Sequence, residues 1–181
     1  MNVFISGGCK NGKTGFAQDI AVRLSGGGKR FYVATMIPYD GEDRERVRRH
    51  ISDREGMGFG TLETARDIAS CLDSGGGDAT YLIDSVTALL LNEMFPGDYS
   101  EQADPGAASR CVEGLLKVAR GCGNAVFVSD YIYSDAERYD DFTESYRRML
   151  ASIDRALAME CGTVIELCAG LPICRKGVMP I

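Results

Sequence analysis

The sequence predicts an α/β fold, a single domain with a mainly parallel sheet covered by helices on both faces. Three observations carry this prediction. Short apolar runs alternate with segments of helical period, as strands and crossover helices do in a doubly covered sheet. The pattern Gly7-x4-Gly12-Lys13-Thr14 stands at the first junction between a run and a helical segment. The 181 residues, 45% hydrophobic and without a low-complexity tract, are enough to bury one sizeable core but leave little for a second.

Taken in order, Val3 to Ser6 is the first strand, and Lys13 to Leu24 is a helix that ends at the Gly26-Gly27-Gly28 turn. Phe31 to Thr35 is a second strand, and Gly41 to Ser52 a charged helix. A weaker strand lies near Gly60 to Thr64, with a helix from Ala65 to Leu72 before the turn Gly75-Gly76-Gly77. Thr80 to Asp84 is a strand that runs into a helix from Ser85 to Met94. Pro96 to Gly106, with two prolines and two glycines, reads as an exposed loop within the domain. A helix from Ala107 to Arg120, a strand from Ala125 to Asp130, a helix from Asp141 to Ala158 and a strand from Thr163 to Cys168 complete the alternation. No internal repeat interrupts it.

The glycine-rich segment matches the Walker A pattern at every fixed position, between an apolar strand and a helix. The domain is therefore expected to be of the P-loop NTPase type. Gly7, Gly8, Cys9, Lys10, Asn11, Gly12, Lys13 and Thr14 form the loop. Its glycines let backbone N–H groups turn onto phosphate oxygens, and the helix N-terminus adds its dipole. Lys13 supplies a point charge near the β and γ phosphates, and the Thr14 hydroxyl can ligate Mg2+. The metal needs an acidic partner at a neighbouring strand tip. Asp84, ending Tyr81-Leu82-Ile83-Asp84, is the first choice and Asp130 the competitor; either could instead cap a helix.

The formal charge of -6 argues against a general nucleic-acid partner, because binding to a phosphate backbone rests on a surplus of Lys and Arg. No segment has the length of a membrane span or the pattern of a signal peptide, so the protein is expected to be soluble and cytoplasmic. Seven cysteines without a C-x-x-C pair fit neither a disulfide framework nor a zinc site, and most read as reduced core thiols. Cys9 differs by its place in the phosphate loop, where a helix N-terminus favours thiolate, although a small residue also simply fits there.

The chain has one histidine, His50, in the run Arg44-Glu45-Arg46-Val47-Arg48-Arg49-His50-Ile51-Ser52-Asp53-Arg54. On a helix, Arg46, His50 and Arg54 share a face that can bind phosphate. Imidazole can attack phosphorus, and flanking guanidinium groups favour its neutral form and stabilise charge on the transferred group, with Asp53 placed to orient the ring. From spacing alone, the interleaved acids favour a solvated charged helix.

With these motifs in place, the chain resembles the bifunctional adenosylcobinamide kinase/adenosylcobinamide-phosphate guanylyltransferase family of cobalamin biosynthesis over nearly its full length. The resemblance is carried by Gly7-Gly8-x-x-x-Gly12-Lys13-Thr14, by Tyr32-Val33-Ala34-Thr35 (the family's Y-I-A-T), by Arg46-Val47-x-x-His50, by Thr61-Leu62-Glu63 and by the strand and helix from Tyr81 to Phe95. The helix from Asp141 onward, with Arg147 and Leu157, is similar in length and character. The resemblance implies that His50 receives GMP from GTP. It implies guanine-nucleotide contacts from Ala34, Thr35 and Met36, from Ile51, Ser52, Asp53 and Arg54, and from Glu63, with Asp84 near the phosphates.

Two reactions are implied. ATP or GTP held by the loop phosphorylates adenosylcobinamide, with Lys13 and Mg2+ offsetting charge; His50 then passes GMP to adenosylcobinamide phosphate, giving adenosylcobinamide-GDP. A homo-oligomer is also implied, a ring-like trimer being the family's form. The chain departs from the family's N-E-V-G at Asp130-Tyr131-Ile132-Tyr133, has Asp140-Asp141 where an arginine is expected, and carries Met36 where a hydroxyl residue is common. Two other readings fit the same loop. One is a small-molecule or nucleotide kinase without guanylyltransfer, with His50 a surface residue. The other is a non-catalytic GTP-binding module, against which the intact Lys13, Thr14 and Asp84 argue.

Overall fold

A computed structural model describes residues 1–97 and 103–180, with the side chain of Arg46 outside the described set. The strands are β1 (Asn2–Gly7), β2 (Arg30–Ala34), β3 (Phe59–Glu63), β4 (Thr80–Asp84), β5 (Asn124–Asp130), β6 (Thr163–Cys168) and β7 (Leu171–Lys176). The helices are α1 (Lys13–Ser25), α2 (Gly41–Asp53), α3 (Cys71–Gly75), α4 (Val86–Met94), α5 (Ala107–Gly121) and α6 (Asp141–Glu160). The seven strands form one sheet in the order β3-β2-β4-β5-β1-β6-β7, parallel except for β7.

Alternation of side chains along the inner strands explains why both faces are covered. Phe4, Tyr81, Ile83, Ala125 and Phe127 point into one core with α4, α5 and α6, where Leu89, Leu115, Leu150 and Leu157 are buried. Val3, Ile5, Leu82, Val126 and Val128 point into the other, against Ala17, Ile20 and Ala21 of α1. The helix starts are written in the side chains at their caps. Asp40, Ser85 and Asp140 each accept a hydrogen bond from the backbone N–H three residues on, opening α2, α4 and α6.

Two elements differ from the sequence expectation. The helix expected from Ala65 to Leu72 is a 3-10 turn at Ile68–Ser70 followed by α3, which runs through Gly75. Residues 65–67 are held by α4 instead: Ala65 O accepts from Asn92, Asp67 N donates to Glu93, and Arg66 donates to Asn92 O and Phe95 O. Strand β7 was not expected. It returns from β6 through Ala169 and Gly170, both at positive φ (50° and 80°), a two-residue hairpin geometry. Its Pro172 is tolerated because β7 is an edge strand. Of the expected Pro96 to Gly106 loop, residues 98–102 lie outside the described residues.

The cysteines divide. Cys71, Cys111 and Cys161 are buried, and burial pushes each thiol up to about 12. Cys9, Cys168 and Cys174 are exposed, so fewer thiols belong to the core than composition implied.

Register places the functional residues. Ala34 pairs with Glu63 on one side and Asp84 on the other, and Gly7 pairs with Asp130. The carboxyl ends of five strands thus share one edge of the sheet, where parallel α/β folds bind ligands.

Candidate nucleotide site

The phosphate loop leaves β1 through a close approach that only glycine permits. A Cβ on Gly7 would lie 2.7 Å from Leu167 O and 2.9 Å from the Asn11 amide nitrogen. Asn11 in turn donates to Leu167 O at 2.6 Å, tying the loop to β6. Gly12, at φ 87°, is the left-handed residue that starts α1, a conformation that would strain a side chain. Lys13 is buried, 6% exposed, and its Nζ donates to Gly8 O at 2.5 Å and pairs with Asp130 Oδ1 at 2.6 Å.

Thr14 donates its hydroxyl to Asp84 Oδ2 at 2.9 Å. Asp84 does not cap α4, because Ser85 does that work. The two strand-tip carboxylates are therefore divided: Asp130 faces the loop lysine and Asp84 the loop threonine. A hydroxyl and a carboxylate at the mouth of a phosphate loop are hard oxygen donors of the kind Mg2+ takes alongside nucleotide phosphates and water. Among the described residues no group of three or more His, Cys, Asp or Glu could hold a metal by itself. A shared site with a nucleotide fits this donor set.

Asp84 Oδ2 also receives the Tyr32 hydroxyl at 2.8 Å and stands 3.9 Å from His50 Nδ1. The Tyr32 oxygen is 3.4 Å from the same ring nitrogen. The only histidine of the chain is thereby brought from α2 to the edge of the phosphate loop. Arg54, just past the end of α2, fixes that approach. Its guanidinium donates to His50 O at 2.7 Å and to the Thr61 hydroxyl at 3.0 Å, and lies 4.2 Å from the centre of the Tyr32 ring.

A cleft of about 720 Å³ opens beside these groups. Of the residues singled out from the sequence, Ala34, Met36, His50, Ile51, Arg54, Glu63 and Asp84 line it. The phosphate loop adjoins it through Asp84 and Asp130. Three others stand apart. Thr35 is fully buried and exchanges hydrogen bonds between its hydroxyl and the backbone of Ser85, while Ser52 and Asp53 are exposed on α2 outside the cleft lining. The cleft continues past Thr87, Ala88, Leu91 and Asn92 of α4 to Tyr146 of α6, and past Ile37 and Tyr39 before α2. That wall was not read from the sequence, where α4 and α6 signal only core packing.

The stretch that departs from the family pattern, Asp130 to Tyr133, is locked in place from α6. Arg147, 7% exposed, donates to Ile132 O at 3.0 Å and to Asp135 and Glu144 at 2.8 Å each. Tyr133 donates to Asp154 at 2.8 Å.

The chain is similar in structure to a solved ATPase domain, with a TM-score of 0.52 and 13% identity, covering 91% of this chain and 68% of that one. It is similar also to the flagellar accessory protein FlaH from Methanocaldococcus jannaschii, with a TM-score of 0.50 and 13% identity, covering 99% and 79%. At that identity the likeness establishes the fold alone, that of P-loop ATPases. No curated protein matches by sequence. The family model for cobinamide kinase / cobinamide phosphate guanyltransferase matches residues 3–174. A match over nearly the whole chain settles membership: the protein belongs to the cobinamide kinase / cobinamide phosphate guanyltransferase family, whose nucleotide-using enzymes serve cobalamin biosynthesis.

Proposed function

We propose that this chain phosphorylates adenosylcobinamide and then transfers GMP from GTP, through a guanylyl group on His50, to adenosylcobinamide phosphate, giving adenosylcobinamide-GDP. The observation that carries the reading is the seat of the sole histidine, with Nδ1 3.9 Å from the carboxylate that binds the loop threonine. A solvated surface histidine has no reason to stand there.

In the kinase reaction the loop backbone and Lys13 hold the triphosphate, and the aminopropanol hydroxyl takes the γ-phosphoryl group. Thr14 and Asp84 are the residues that would hold Mg2+, which would supply charge neutralisation. In the second reaction the His50 ring attacks the α-phosphorus of GTP and pyrophosphate leaves; the phosphate of the acceptor then displaces the ring. Splitting the transfer replaces one encounter between two anions by two steps at a fixed, uncharged nucleophile. Glu63, Ala34 and Met36 line the cleft and would meet the guanine end, with Ile51 and Arg54 at its border. The apolar wall of Ala88, Leu91 and Tyr146 suits the corrinoid side.

GTP labelled at the α-phosphate tests this directly. Wild-type protein with magnesium is expected to retain label that acid removes and alkali spares, and His50→Ala to retain none. Absence of label on both would leave a kinase without guanylyltransfer, and nucleotide binding without any turnover would leave a GTP-binding module.

A further inference from the structure

Tyr32 lies on β2 with its ring in the core that faces α1, 5% exposed, yet its hydroxyl reaches the sheet edge. There it stands between two groups, Asp84 Oδ2 at 2.8 Å and His50 Nδ1 at 3.4 Å. A phenol has one proton to give, and an ionised carboxylate has none. The proton of Tyr32 goes to Asp84, so the lone pair it turns toward His50 calls for a proton on Nδ1.

We propose that Tyr32 is a positioning residue for guanylyltransfer: it holds His50 with its proton on Nδ1, so that Nε2 carries the lone pair and is the atom that attacks phosphorus. The inference rests on the reading of His50 as the GMP acceptor. It goes beyond that reading by naming the atom and what selects it. A neutral histidine ring left to itself favours the opposite tautomer, with the proton on Nε2 and no lone pair there; the partner of one ring nitrogen decides the state of the other. Arg54 keeps the device rigid, because its guanidinium lies over the Tyr32 ring while bonding to the His50 carbonyl.

The step balances without a separate base. The Nε2 lone pair forms the N–P bond as the bond from the α-phosphorus to the bridging oxygen breaks, and that electron pair leaves with pyrophosphate. The ring keeps its Nδ1 proton and gains a positive charge, which faces Asp84 and the Tyr32 oxygen. When the acceptor phosphate forms its new P–O bond, the N–P bond breaks and its electron pair returns to Nε2.

With one histidine in the chain, ring-nitrogen NMR of histidine-labelled protein gives a single pair of signals. In mildly alkaline buffer without nucleotide, wild type is expected to show a protonated Nδ1 and a bare Nε2, and Tyr32→Phe to move the population toward protonated Nε2. Guanylylation by Tyr32→Phe should fall about 10–100-fold, the range seen when the partner that orients a metal-ligating histidine is lost. A wild-type ring protonated at Nε2, or a tautomer ratio that Tyr32→Phe does not change, overturns the proposal. Failure of the acceptor reading has a different signature, no label from GTP on wild type, whatever the tautomer.

Discussion

The lysine that a phosphate needs is already engaged. Lys13 Nζ lies 2.6 Å from Asp130 and 2.5 Å from Gly8 O, and the pair is largely withdrawn from solvent, Lys13 at 6% and Asp130 at 21% side-chain exposure. A triphosphate entering the loop must share the cation with a carboxylate that also repels it. Removing the carboxylate leaves a mostly buried ammonium short of a partner, which destabilises the free protein and favours any anion that can replace it. Asp130→Asn should therefore bind a non-hydrolysable GTP analogue about fivefold more tightly, roughly 1 kcal/mol. The nucleotide-free variant should melt below wild type. Titration of analogue fluorescence and a melting curve check both halves. Weaker binding by the variant would show that Asp130 holds the ligand instead of competing with it. The two strand-tip acids are alike in sequence, and only the register that sets Gly7 beside Asp130 and Ala34 beside Asp84 assigns one to the lysine and one to the threonine.

Helix α2 carries His50 but buries none of its described side chains, in contrast to α1, α4, α5 and α6. It is held at its two ends. Asp40 caps its start, with Glu42 and Asp43 complementing the dipole, and Arg54 ties its last turn to β3 through Thr61. A helix without a buried face opens at a small fraction of the free energy of global unfolding. Amide hydrogen exchange should therefore be faster across 44–53 than across α1 or α5, and GTP with magnesium should slow it if the nucleotide bridges His50 and the loop. Equal protection of α2 and α5 in the free protein would count against this. The same helix shows what a sequence can disclose. The charged run was legible because charge pattern is local. So was the phosphate loop, whose Gly7, Gly12, Lys13 and Thr14 act together within eight residues. The role of Tyr32 was not, because a tyrosine in an apolar strand signals packing, and its hydroxyl finds Asp84 only through the pairing of β2 with β4. Strand β7 escaped because a proline in an exposed hexapeptide hides the alternation, and the segment before α3 because its backbone partners sit on α4.

At the scale of the whole molecule, the sheet separates a face that α1 closes beside the phosphate loop from a face that α4, α5 and α6 close, and among the described residues no helix is long and apolar enough to cross a membrane. The second face contains a buried acid. Asp154 of α6, 3% exposed, has its carboxyl pushed up to about 6, first by burial and then by the charge of Asp130, while the Ser129 and Tyr133 hydroxyls act in the opposite direction. The sign of the linkage follows. Between the ordinary value of 3.8 and about 6 the folded protein holds a proton that the unfolded chain has released, so stability falls as pH rises through that window. A shift of this size costs on the order of 3 kcal/mol at neutral pH. Asp154→Asn keeps the shape, can still accept from Tyr133, and has no charge to desolvate. It should raise the melting temperature at neutral pH by roughly 5–10 °C for a chain of this length. In acid below the window, where the wild-type carboxyl is protonated in both states, the two proteins should melt together. An equal gain at both pH extremes would mean that Asn packs better there and that the charge of Asp154 does not set the stability. Because Asp154 meets Tyr133 and feels Asp130, the same variant also connects this core to the stretch that departs from the family. A change in phosphoryl transfer that accompanies the gain in stability would place the cost of the buried acid at the active edge of the sheet.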